Sequence, residues 1–178
     1  MITKGRIHQI NVSDGGVPKR PIEAATVDVN GLIEDRQADR KAHGGPQRAL
    51  CLYSAERLGE LATEGHNLNP GYLGENVTVE GIDWALFVPG ALVRLGDEVH
   101  CEITNYTTPC WKNARWFVDG DFSRILQDKH PGWSRVYSRV ITGGTIRPGD
   151  AVELILESAA ERVRRRQPAT YRWSPPGS

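Results

Sequence analysis

Three cysteines are the chain's candidate nucleophiles and soft metal ligands, and their neighbours sort them. Cys51 stands in Ala49-Leu50-Cys51-Leu52-Tyr53 and Cys101 in Val99-His100-Cys101-Glu102-Ile103, strand-like runs where a thiol serves as a small buried hydrophobe. Cys110 is different. It follows Thr107-Thr108-Pro109 and precedes Trp111-Lys112-Asn113, where the proline stops a strand ladder and the lysine favours a thiolate. An incidental loop thiol has the same local sequence, so Cys110 alone decides nothing.

Two further segments carry polar chemistry. Lys41-Ala42-His43-Gly44-Gly45-Pro46-Gln47-Arg48 joins two glycines, which let a ligand approach the backbone, to three groups that carry or accept positive charge. This suits an anion, although an ordinary glycine turn reads the same way; the Gly-Lys-Ser/Thr of a nucleotide P-loop is absent. Tyr72-Leu73-Gly74-Glu75-Asn76 presents a carboxylate and an amide on a turn, able to read the donor and acceptor edge of a fused heterocycle or simply to bond its own backbone. Gly15-Gly16-Val17-Pro18-Lys19-Arg20 adds a loop with two cations.

The elements that must position these residues read as strands. Nineteen glycines and eleven prolines punctuate apolar runs at 5–12, 22–32, 49–53, 76–80, 91–95, 98–104, 135–142 and 151–156. Gly96-Asp97 predicts a hairpin, and Val88-Pro89-Gly90 and Arg147-Pro148-Gly149 open two later strands with similar turns. Helices are predicted at 55–64, behind a Ser54 cap, and at 121–129, behind Asp121. The 178 residues predict one mainly β domain over 1–157 and a charged segment and tail over 158–178. Twenty-two basic residues balance twenty-two acidic ones, so no global field draws the chain to nucleic acid. Arg162, Arg164, Arg165, Arg166 and Arg172 form a local cluster, but Glu157 and Glu161 interrupt it and a solvated tail is expected. No apolar stretch approaches the roughly 20 residues of a spanning helix and no signal-peptide core follows Met1, which predicts a cytoplasmic protein with no membrane partner. An odd number of cysteines without C-x-x-C spacing argues against a disulfide framework or a zinc ribbon.

Taken in order, Lys19-Arg20, His43-Gly44-Gly45-Pro46 with Arg48, Gly74-Glu75-Asn76 and Thr108-Pro109-Cys110 resemble the MOSC domain family over about the first 150 residues. The resemblance implies a β-barrel with a few short helices and binding of the molybdenum cofactor, a pterin dithiolene carrying molybdenum. It makes Cys110 the protein's metal ligand and catalytic centre, a soft thiolate suited to a metal already held by sulfur. It makes Lys19, Arg20, His43, Gly44, Gly45 and Arg48 the cradle of the cofactor's phosphate, and Gly74, Glu75 and Asn76 the frame of its pterin or of the metal pocket.

The activity implied is two-electron reduction of a small N-hydroxylated or N-oxygenated compound, with electrons from an external redox protein. The alternative is a module that carries the cofactor, or sulfur on Cys110, without turnover. Reductase-type members commonly continue into a C-terminal helical extension, which residues 157–178 do not match, and this leaves the substrate and redox partner open. No pyridoxal phosphate domain stands in the sequence, so desulfurase activity is not expected of this chain alone.

Overall fold

The computed structural model describes residues 1–36, 44–158, 161, 162 and 165. Short apolar runs between glycine and proline turns become eleven strands: β1 (Ile2–Val12), β2 (Arg20–Ile22), β3 (Ala25–Asp28), β4 (Gly31–Leu32), β5 (Leu50–Ser54), β6 (Val77–Glu80), β7 (Leu92–Leu95), β8 (Val99–Tyr106), β9 (Val136–Thr142), β10 (Gly144–Ile146) and β11 (Ala151–Ile155). The fold is mainly β, as the sequence predicts.

Seven strands close a barrel in the order β1-β11-β7-β8-β9-β5-β6 and back to β1. β1 makes the closure: it is antiparallel to β11 from Ile2 to Arg6, to β6 from Arg6 to Ile10, and to β2 at its end. The register slips between Ile7 and Gln9, an irregularity that bends a strand and lets it serve neighbours on both sides. Gly5 is required at this crossing, because a Cβ there would lie 2.2 Å from the Glu80 carbonyl oxygen. The expected Gly96-Asp97 hairpin joins β7 to β8. The strands that follow the two Pro-Gly turns, β7 and β11, pair with each other.

One helix, α1 (Ala55–Thr63), links β5 to β6, the barrel's one parallel pair among the described residues. Ser54 caps it, its Oγ accepting the Arg57 N–H at 3.1 Å, which contributes about 1 kcal/mol. Leu58 and Leu61 turn into the core, and Leu61→Ala would cost about 2–5 kcal/mol.

Three expectations change. The run 22–32 breaks into β2, β3 and β4, because Glu23-Ala24 and Val29-Asn30 are turns, and β3 joins β4 and the unexpected β10 in a small second sheet. The expected helix at 121–129 is a single 3-10 turn, Phe122–Ile125, capped by Asp121. Of the charged end, Ser158 and Glu161 cap each other's backbone N–H, and Arg165 pairs with Glu102 and Glu157. Arg164, Arg166 and Arg172 lie outside the described residues. No helix among the described residues is long and apolar enough to cross a membrane.

β8 and β9 are neighbours, yet residues 107–135 run between them through three 3-10 turns. The neck of this excursion is tied: the Thr107 N–H donates to the Arg135 carbonyl at 3.0 Å, and the Ser134 hydroxyl donates to the Thr107 carbonyl at 3.0 Å. Cys110 stands just past that neck.

Candidate functional site

Cys110 precedes the 3-10 turn Trp111–Trp116, whose start is fixed by the Asn113 N–H donating to the Cys110 carbonyl at 2.9 Å. The half-buried thiol can donate to the Asn113 side-chain oxygen, 3.6 Å away. The Asn113 amide nitrogen in turn reaches the Leu73 carbonyl at 3.4 Å, which ties the thiol's turn to the Gly-Glu-Asn segment. Cys110, Asn113 and Leu73 line one cleft.

The Gly-Glu-Asn residues take separate places around it. Gly74 lines the cleft with a left-handed backbone (φ 92°), and a Cβ there would press to 3.1 Å from Val17. Asn76 lines it too, its amide nitrogen donating to Asp35 at 2.8 Å and its oxygen accepting the Cys51 N–H at 3.1 Å. Glu75 is fully buried and does not line the cleft. It accepts the Gly71 N–H at 2.7 Å and the Thr78 hydroxyl at 3.2 Å, and burial holds its carboxyl above the ordinary range against the pull of those bonds and of Arg135. Its role is to fix the turn that presents Gly74 and Asn76.

The expected cation cradle is only partly assembled. Lys19 lines the cleft but is tied in a buried ion pair to Asp35, the two side chains 9% and 3% exposed. Arg48 lines the cleft over the Tyr137 ring, 5.6 Å from its centroid. Arg20 is exposed on β2, and neither it nor Gly44 nor Gly45 is part of the lining; Gly45 leads into the 3-10 turn that carries Arg48. His43 falls outside the described residues.

Sequence reasoning passed over several lining residues. Arg36 and Arg135, with the Lys112 already noted beside Cys110, add positive charge, against which Asp35 is the one lining acid among the described residues. Cys51 is the small buried thiol expected of it, yet its strand end faces the cleft. Burial pushes it up to about 11, with Arg135 pulling partly back. Arg135 and Tyr137 stand at i and i+2, Arg135 just before β9 and Tyr137 within it, so both reach the same side of the strand. Cys101 sits in the barrel core, pushed by burial up to about 12.

The family model for the MOSC domain matches residues 39–153, a span that includes Arg48, Gly74, Asn76, Cys110 and Arg135. The chain belongs to the MOSC domain family. It is 33% identical over 144 residues to "Uncharacterized protein YflK" of Bacillus subtilis, 79% of this chain and 63% of that protein. It is 29% identical to "Protein YiiM" of Escherichia coli, over 82% and 65% of the two chains, so it spans about two thirds or less of either relative's length. A protein named "Reductase" from Gibberella moniliformis is 28% identical over 70% of this chain and 22% of its own. The solved structure of YiiM from Geobacillus stearothermophilus superposes with a TM-score of 0.68 at 22% identity, covering 87% of this chain and 77% of that one, which shows a shared fold.

In this MOSC domain the described residues include no group of three His, Cys, Asp or Glu side chains arranged to hold a metal. One half-buried thiol, Cys110, beside the buried Cys51, at a cleft whose charged residues are mostly cations fits a metal that brings its remaining ligands with an anionic cofactor. The buried Arg135 Nε, which has no hydrogen-bond partner, fits the same kind of guest.

Proposed function

We propose that this chain binds the molybdenum cofactor with Cys110 as its protein ligand and reduces N-hydroxylated or N-oxygenated compounds with electrons from an external redox protein. One observation carries the reading: Cys110 is the half-buried thiol of the three, and it faces a cation-lined cleft. Family membership and a relative named "Reductase" support it. The bound cofactor would supply the two electrons that, with two protons, turn R–NH–OH into R–NH2 and water. The chain's own residues orient and balance charge. Asn113 accepts from the Cys110 thiol while it is protonated, Gly74 keeps one wall open, Asn76 and Asp35 hold Lys19 in place, and Arg48 and Arg135 supply positive charge for an anionic guest.

The test is molybdenum and pterin content of protein from a cofactor-competent host, beside Cys110→Ser. The expected result is stoichiometric cofactor in the wild type and loss of molybdenum in the variant; equal retention would remove Cys110 as the ligand. Loaded protein given a chemical electron donor should reduce a hydroxylamine. Cofactor bound without turnover would leave only the carrier reading.

A further inference from the structure

Arg135 is a buried cation that makes no ion pair among the described residues. It is 6% exposed and lines the cleft beside Cys51 and Asn113. Its Nη1 donates to the Leu73 carbonyl, its Nε is buried without a hydrogen-bond partner, and among the described residues it forms no ion pair. The nearby acids are committed elsewhere. Asp35 holds Lys19, the Asn76 amide and the Ser13 N–H; Glu75 feels the Arg135 charge but bonds Gly71 and Thr78 through one oxygen, leaves the other buried without a partner, and is pushed towards its neutral form by burial. A guanidinium keeps its proton at any working pH, and an unpaired buried charge is costly, so a guest is the natural source of the missing partner.

We propose that Arg135 is an oxyanion receptor, whose unpartnered Nε is left for negatively charged oxygens of a phosphate-like group to complete its hydrogen bonding. The inference follows from the placement of charge and stands without the molybdenum reading. It also moves the main anion contact away from Lys19, whose charge Asp35 already cancels. The Leu73 carbonyl that accepts from Arg135 accepts from Asn113 as well, and Asn113 bonds the Cys110 thiol, so the receptor belongs to the thiol end of the cleft. Gly74 adjoins it: a Cβ there would meet Arg135 Nη1 at 3.8 Å, an ordinary contact.

The probes are inorganic sulfate and phosphate, added to the full chain from a host that makes no molybdenum cofactor. The Arg135 Nε–H resonance, assigned by its loss in Arg135→Lys, should shift saturably with one anion per chain. Arg135→Gln should weaken binding, read by calorimetry, roughly 10- to 100-fold, and Lys4→Ala, at an exposed β1 residue outside the cleft, should leave it unchanged. An Arg135 resonance that does not move, or binding that survives Arg135→Gln, overturns the proposal. If Arg135→Gln does not fold, the wild-type resonance decides. Cofactor-loaded protein separates the sources: loss of the phosphate response places the cofactor's own oxyanion on Arg135, and persistence assigns the receptor to a free oxyanion.

Discussion

Asn76 is bonded to Cys51 from both main chain and side chain: its N–H donates to the Cys51 carbonyl at 2.7 Å, and its Oδ1 accepts the Cys51 N–H at 3.1 Å. The same side chain donates to Asp35, which holds Lys19. One amide therefore registers β5, the start of β6 and the cation wall of the cleft. Asn76→Ala should cost about 1–3 kcal/mol in urea unfolding, because it leaves the buried Cys51 N–H unpaired. Asn76→Asp should cost more at pH 7 than at pH 4, since it sets a second carboxylate against Asp35. A cost independent of pH would show that the two groups do not interact.

Glu75 gives a pH signature of its own. Its folded pKa lies above the ordinary 4.5, chiefly through burial. Between those two values the native state keeps a proton that the unfolded chain has released, so rising pH removes stability across that window. Glu75→Gln lacks the titration and keeps an acceptor for the Gly71 N–H. Its stability relative to wild type should improve as pH climbs from 4.5 and then level off. A flat difference would mean that the carboxyl is not held protonated by the fold.

The thiols should separate by reactivity. At pH 8 a thiol reagent should modify one cysteine per native chain, Cys110, because Cys51 and Cys101 are buried and pushed up to about 11 and about 12. All three should react in guanidinium. Labelling of Cys51 at the rate of Cys110 would show that the cleft floor opens.

Neighbours Lys19 and Arg20 should differ sharply in stability cost. Lys19→Met strands Asp35 in a buried site and should cost about 3–5 kcal/mol. Arg20→Ala removes an exposed side chain and should stay within about 0.5 kcal/mol. Thermal and denaturant unfolding of the pair would check this, and equal costs would contradict the buried ion pair.

Much of the barrel was legible because each long strand is an apolar run closed by a glycine or proline turn, and α1 because Ser54 stands before Leu58 and Leu61. β10 was not, since three residues carry too little alternation to read. At the site, Cys110, Gly74, Asn76, Lys19 and Arg48 could be named because they sit on turns or beside them, where polar residues attract notice. Arg135 and Cys51 could not. They occupy strand runs, where an arginine reads as solvent-facing and a cysteine as core, and only the closing of the barrel turns those strand ends toward one cleft. The ion pair that neutralises Lys19 was equally hidden, because Asp35 is sixteen residues away in the chain.

The tied neck of the excursion between β8 and β9 bears on how this protein could be redesigned. Arg135, Tyr137, Cys51 and Asn76 stand on or beside barrel strands, whereas Cys110 and its turn belong to a loop anchored at Thr107, Ser134 and Arg135. Residues 114–133 line no part of the cleft, so an engineer could exchange them between relatives and leave its floor and its thiol in place, with the barrel serving as a chassis and the loop as an interchangeable cartridge.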